Sequence, residues 1–293
     1  NRGYSPVYRI DVQSKNITKV TDDKAILDYQ VTKDEQTVYA LFSAVDKPGE
    51  IYSYNVNGSE YSQITYFNKK LIEETDIRPA EQMWVDGAEG IPVHVFIVKP
   101  HGYEENKKYP LIINVHGGPQ MQWMDSFRGD WQVYPGSGYV VAFFNPHGST
   151  GYGSAYTEAI SRDWGGKVYE DVMKVTEALE KLAYIDSNSV GAMGWSYGGF
   201  MMNFLQGQTK KFKCFASMMG IFDLESMWGA TEELWFVNWD LAGQPWNSEL
   251  YNFLSPSNYV KNFSTPTLII TGEKDYRVPY TQSIQYFNTL QSL

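Results

Sequence analysis

The sequence predicts an α/β fold, with a mostly parallel sheet in the longer C-terminal part and antiparallel β structure before it. Three observations carry this. Five short, almost unbroken apolar runs, LIINV (111–115), YVVAFF (139–144), VGAM (190–193), CFASMM (214–219) and TLII (267–270), have the continuous apolarity of strands buried on both faces. Helical patterns lie between them, clearest at 168–182, where Val168, Val172, Val175, Leu179 and Leu182 step by four and three. Residues before 66 show instead the alternating patterns of hairpins. Strands that alternate with helices build a doubly wound sheet with helices on its faces.

Residues 7–21 (VYRIDVQSKNITKVT) and 51–65 (IYSYNVNGSEYSQIT) align without gaps at an offset of 44. Each copy reads as two strands around a turn, with Ser14 and Gly58 in the turns. Between them ILDYQVTKDEQTVYALFSA reads as two more strands turning at Lys33–Glu35. Four strands per ~40–45 residues is the period of a β-propeller blade, although two unrelated amphipathic hairpins would align almost as well. A blade and a half would be present, and because such arrays need about three units, further blades are expected before Asn1. Residues 1–66 are therefore expected to be the C-terminal part of a propeller. The polar, aperiodic stretch 67–82 reads as a linker, and 83–293 as the α/β domain, which opens with a hairpin turning between Asp86-Gly87 and Glu89-Gly90. At the end, Ile284, Phe287, Leu290 and Leu293 share one helical face. No cap or stop follows, so the sequence reads as a fragment.

Composition excludes several classes. With 24 Lys+Arg against 34 Asp+Glu the net charge is −10, without a basic stripe, and nucleic acid is not an expected partner. Apolar runs stop at about seven residues, far short of the ~18 of a membrane span, so no membrane partner is expected. One cysteine, Cys214, excludes an intrachain disulfide framework and a cysteine-based metal site. No ligand cluster has zinc or calcium spacing, and no metal or organic cofactor is expected.

In doubly wound sheets ligands sit beyond the carboxyl ends of the strands. The runs lead into His116-Gly117-Gly118-Pro119, Asn145-Pro146-His147-Gly148, Gly194-Trp195-Ser196-Tyr197-Gly198-Gly199, Gly220-Ile221-Phe222-Asp223 and Gly272-Glu273-Lys274-Asp275. Gly194–Gly198 fits the Gly-x-Ser-x-Gly elbow, whose strained turn lifts a nucleophilic Ser hydroxyl into a cleft. In a chain with 25 glycines the pattern alone is weak, but an apolar strand before it and a helical FMMNFLQG after it supply the required setting. Ser196 is the expected nucleophile. Acyl transfer also needs donors aimed at a developing oxyanion. The amide of Tyr197 is one, and the His116-Gly117-Gly118 loop is placed to give the second, with His116 orienting the loop. Asp275 is the expected third member, with Glu273 and Asp223 as rivals. The base is missing, because His94, His101, His116 and His147 all precede Ser196. Either it lies beyond Leu293 or the chain is a non-catalytic relative.

Together, Gly-Trp-Ser-Tyr-Gly-Gly at 194–199, His-Gly-Gly-Pro at 116–119, Asn-Pro-His-Gly-Ser-Thr-Gly-Tyr-Gly at 145–153 and Gly-Glu-Lys-Asp-Tyr-Arg-Val-Pro at 272–279 resemble the prolyl oligopeptidase family of serine peptidases. The branch is similar to acylaminoacyl peptidases and dipeptidyl peptidase V. The resemblance covers 80–293 closely and agrees with the blade pattern. It implies a propeller stacked on an α/β-hydrolase domain, here 83–293 and incomplete at its C-terminus. It also implies an exopeptidase that releases dipeptides or acyl-amino acids from short peptides through an acyl-enzyme. Carried over by position, Ser196 is the nucleophile, Asp275 the triad acid, and the amides of Gly118 and Tyr197 the oxyanion donors. The family's His would follow a few tens of residues after Asp275. His147 stands where relatives usually have Arg.

By the same resemblance, Trp228, Trp235, Phe236 and Trp239 fall at the pocket for the residue before the cut bond. Core packing, or a face turned to the propeller, is an equally good use of such aromatics. Asn238 stands where relatives often carry Glu, with Glu232 and Glu233 close by. Short peptides are the expected partners, and a homo-oligomer is left open. A carboxylesterase on the same fold and a non-catalytic binding protein are the alternatives. The blade pattern speaks against the first, and a His beyond Leu293 would decide the second.

Overall fold

The computed structural model describes residues 2–58 and 60–293. At the N-terminus β1 (Tyr8–Ile10) and β2 (Ile17–Lys19) pair antiparallel. Then β3 (Ala25–Val31), β4 (Thr37–Ala44), β5 (Lys47–Asn55) and β6 (Tyr61–Gln63) form a four-stranded antiparallel sheet in sequence order. The two aligned segments fall on β1–β2 and β5–β6; Ser59 of the second segment lies outside the described residues. Lys33–Glu35 lies in the β3–β4 turn, where Asp34 accepts from the Thr32 hydroxyl and the Gln36 amide. Alternation along β4 sends Val38, Ala40 and Phe42 inward, against Val20, Ile26, Tyr54 and Val56.

The segment 67–82 is not featureless. Lys69–Glu74 forms helix α1, and β7 (Ala80–Asp86) already begins inside it. KKLIEE sets Lys69 beside Glu73 and Lys70 beside Glu74, i,i+4 pairs that favour a short helix. The helix buries no residue, which is why its sequence has no apolar period.

With β8 (Pro92–Val98), β9 (Tyr109–Val115), β10 (Val140–Asn145), β11 (Ile185–Trp195), β12 (Phe215–Met218) and β13 (Thr267–Ile270), β7 completes a sheet of order β13-β12-β11-β9-β10-β8-β7. From β13 to β10 all neighbours are parallel. β8 runs antiparallel to β7 and β10. All five apolar runs are strands of this sheet.

Around it lie α2 (Asp130–Gly136), α3 (Ser154–Glu158), α4 (Lys167–Glu180), α5 (Tyr197–Gln208), α6 (Leu224–Trp228), α7 (Leu234–Asp240), α8 (Leu250–Leu254) and α9 (Thr281–Ser292). On one face α4 packs Val168, Val172, Val175 and Leu179, and α5 packs Phe200, Met201 and Leu205, into one core with Leu111, Ile113 and Val115 of β9. On the other, Trp131 of α2 stacks on Phe143 of β10 at 4.0 Å. Further along that second face a groove of about 900 Å³ runs past Ile112, Met193, Cys214 and Leu268. Among the described residues no helix is long and apolar enough to cross a membrane.

Helix α9 forms where the terminal stripe predicts it, but of that stripe it packs Leu290 inward and otherwise turns other residues to the core. Tyr286 is buried against Phe222 with ring centroids 5.1 Å apart. Buried Gln282 accepts from the amides of Phe222 and Asp223. Ile284, Phe287 and Leu293 are exposed. Hydrogen bonds that an apolar period does not encode choose the buried face.

Candidate active site

β11 ends at Trp195 and α5 begins at Tyr197, leaving Ser196 alone on the turn with φ 58° and ψ −115°. Positive φ costs a residue with a side chain about 1–3 kcal/mol, so its surroundings must hold it. The Ser196 amide donates to the Met218 carbonyl on β12 at 2.9 Å, and its carbonyl accepts from the Phe200 amide at 2.8 Å. Two glycines let the segments close up here. A Cβ at Gly198 would lie 2.1 Å from the Val115 carbonyl oxygen, and one at Gly194 would lie 2.4 Å from the Gly198 backbone. The motif's glycines therefore answer to contacts with β9 and α5, and they leave Ser196 partly exposed at the carboxyl end of the sheet.

β9 runs into His116-Gly117-Gly118 beside this elbow. A Cβ at Gly117 would lie 2.9 Å from the Trp195 carbonyl oxygen and 3.2 Å from the Ser196 Cβ. Gly118 has φ +116°, a conformation that favours glycine. His116 is buried, with Nδ1 2.6 Å from the Gly117 carbonyl oxygen and Nε2 2.8 Å from Ser149 Oγ. A carbonyl can only accept, so Nδ1 carries the proton and Nε2 accepts from the Ser149 hydroxyl. That hydroxyl is also 2.6 Å from the Pro146 carbonyl, so its one proton is shared. Burial pushes the His116 pKa down to about 4, and the ring is neutral. With the Gly117 carbonyl held, the planar peptide turns the Gly118 amide the opposite way. Among the described residues neither that amide nor the Tyr197 amide donates to a backbone acceptor.

β13 delivers Asp275. Its Oδ1 accepts from the amides of Arg277 and Val278 at 3.0 and 2.9 Å. The loop is tied to the segment before α7: the Glu232 amide donates to the Tyr276 carbonyl, and Arg277 pairs with Glu233 and Glu232. Ser196 and Asp275 line one open cleft of about 380 Å³, with Trp195, Met219, Glu232 and Lys274 around them. None of the four histidines lines it. His147 is buried against Asp171 at 2.7 Å. The rival Asp223 caps α6, its oxygens taken by the Ser226 amide and the Ser257 hydroxyl. Glu273 is exposed and stands outside the cleft.

The four aromatics do not form one wall. On α7, Trp235 and Trp239 face solvent while Phe236 turns inward onto Trp164 at 5.6 Å. Trp228 meets Trp246 edge-on and donates its indole N–H to Asn238. No motif flags Trp164, yet it is fully buried beneath the elbow. Its ring meets Tyr197 edge-on at 5.4 Å, and its carbonyl accepts from the Tyr197 hydroxyl at 2.5 Å. A single Asp-Trp-Gly tripeptide gives the sequence no means of announcing that role.

A profile of the Prolyl oligopeptidase family matches residues 125–293. Over 99% of its length the chain is 33% identical to dipeptidyl-peptidase 5 of Schizosaccharomyces pombe, covering 43% of that protein. Over 97% it is 32% identical to dipeptidyl-peptidase 5 of Porphyromonas gingivalis, again covering 43%. The whole chain superposes on 46% of Pyrococcus horikoshii acylaminoacyl peptidase with a TM-score of 0.92 at 25% identity. It thus spans a little under half the length of these relatives. The mostly parallel sheet is that of an α/β-hydrolase, and with the family profile matching more than half of its residues the chain belongs to the prolyl oligopeptidase family.

Proposed function

We propose that this chain carries the hydrolytic unit of a serine peptidase acting on short peptides. The observation that supports it best is that Ser196, on its strained turn, shares one cleft with Asp275. Ser196 Oγ attacks the scissile carbonyl, and the charge that develops on the carbonyl oxygen is taken by the amides of Gly118 and Tyr197. An acyl-enzyme forms and water releases it. Asp275 holds and orients an imidazole that accepts the Oγ proton, and this imidazole is supplied from outside these 293 residues. The unit released is a dipeptide or an acyl-amino acid, in keeping with the names of the relatives. Of the four aromatics, Phe236 is the one this reading assigns to the residue before the cut bond, and what supports it is its packing on Trp164, which packs on Tyr197.

A non-hydrolytic binding protein is the second reading, favoured by the lack of any described histidine in the cleft. The complete protein that contains this sequence separates the two. Hydrolysis of dipeptidyl or acetyl-aminoacyl chromogenic substrates, lost in Ser196→Ala, supports the peptidase. No hydrolysis and no reaction with a fluorophosphonate supports the binder.

A further inference from the structure

We propose that Asp240 is a positioning residue for the hydrolytic step, a buried carboxylate that keeps the two segments bearing the oxyanion donors in register with helix α7. This rests on the roles given above to Ser196, Gly118 and Tyr197. Asp240 ends α7 and is fully buried. Its Oδ2 accepts from the indole N–H of Trp164 at 2.9 Å and from the side-chain amide of Gln120 at 3.4 Å. Its backbone carbonyl accepts from the Arg162 amide at 2.9 Å. Trp164 in turn holds the hydroxyl of Tyr197, and Gln120 stands two residues after Gly118. One carboxylate thus reaches both donor segments, one through Trp164, whose indole it holds and whose main-chain carbonyl holds Tyr197, and the other through the side chain of Gln120. Phe236, one turn earlier on α7, packs on the same Trp164. A substrate side chain pressing on Phe236 would therefore bear on the group that aligns the donors.

Stability alone is a poor reason for this residue. Oδ1 is buried with no hydrogen-bond partner among the described residues, and an unpaired buried carboxylate oxygen is a cost that an apolar side chain avoids. Burial pushes the Asp240 pKa up, against the pull of its bonds from Trp164 and Gln120. Asp171 makes the contrast. It is equally buried, but one oxygen accepts from the Ala88 amide and the other from His147, as a carboxylate serving the fold should.

The test uses the complete protein that contains this sequence, with active sites counted by fluorophosphonate titration carried to completion. Asp240→Ala should lower kcat per titrated site about tenfold to a hundredfold while KM moves less than about threefold, the signature of displaced rather than absent groups. Asp240→Asn keeps an acceptor oxygen and should restore most of the loss. Gln120→Ala changes an exposed side chain; it should lower kcat several-fold by itself and add nothing to Asp240→Ala. Wild-type kcat per titrated site in Asp240→Ala, with only a lower melting temperature, would overturn the proposal. If that variant does not fold, an unchanged kcat in Gln120→Ala would overturn it. A wild-type protein that does not label at Ser196 would bring down the underlying role of Ser196 and this one with it.

Discussion

Nδ1 of His116 lies 2.6 Å from the carbonyl oxygen of Gly117, and this contact sets the direction of the next amide, that of Gly118. A neutral ring buried beneath a loop thus aims a backbone donor. Replacing His116 by Ala frees the peptide, and in the complete protein kcat should fall about 10²–10³-fold, the loss expected for one oxyanion donor. Steady-state kinetics on titrated sites would show it, and a change below threefold would remove His116 from the mechanism.

The same residue makes stability depend on pH. Burial holds the His116 pKa near 4, against 6.5 for an exposed ring. Between those values the unfolded chain binds a proton that the folded chain refuses, so stability falls as pH drops from about 6.5 towards 4, by up to about 3 kcal/mol. His94, also pushed down to about 4 by burial, acts in the same direction. Urea titrations at neutral and mildly acid pH should show a shallower acid loss in His116→Gln than in the wild type. Equal slopes would contradict the neutral, buried ring.

Gly198→Ala should remove the elbow. The new methyl would lie 2.1 Å from the Val115 carbonyl oxygen, a backbone atom of the central sheet that cannot step aside. A loss of at least about 2 kcal/mol is expected, together with loss of fluorophosphonate labelling. An unchanged melting temperature would mean that the strand and helix do not close at this point.

Asp275 and Asp223 should separate cleanly. Asp275→Asn in the complete protein should lower kcat about 10⁴-fold with little change in stability, as expected when a base is left in the wrong tautomer. Asp223→Ala should cost about 1 kcal/mol as a lost helix cap and leave kcat per folded molecule unchanged. The reverse pattern in kinetics and thermal melts would exchange their roles.

Leu268 on the edge strand β13 and Phe287 on α9 are exposed and line one groove, with Ile270 and Ile284 also exposed on the same two elements. Large apolar patches and open strand edges associate. The 293-residue chain expressed by itself should self-associate, and Leu268→Lys with Phe287→Lys should reduce it, as read by sedimentation. A monomer with a sharp cooperative melt would contradict this.

Much of the fold was legible because a central strand buried on both faces must be apolar throughout, as β10 is; the run at 267–270 is a strand too, but as the edge strand β13 it leaves Leu268 and Ile270 exposed rather than buried on both faces. The elbow was legible because Gly194 and Gly198 are demanded by backbone approach, which leaves no substitute. Helix α1 was not, since a helix that buries nothing carries no apolar period. The buried face of α9 was missed because Gln282 is inside for its hydrogen bonds. Trp164 and Asp240 were missed for a related reason. A carboxylate that reaches Gln120 and Trp164 from far along the chain leaves no local spacing to read.

The measurement closest to the central claim is reaction of the complete protein with a fluorophosphonate, followed by peptide mass spectrometry. An activated Ser196 predicts one adduct on that residue, absent in Ser196→Ala, with peptide hydrolysis lost in parallel. An adduct on another serine, or full hydrolysis by Ser196→Ala, would contradict it.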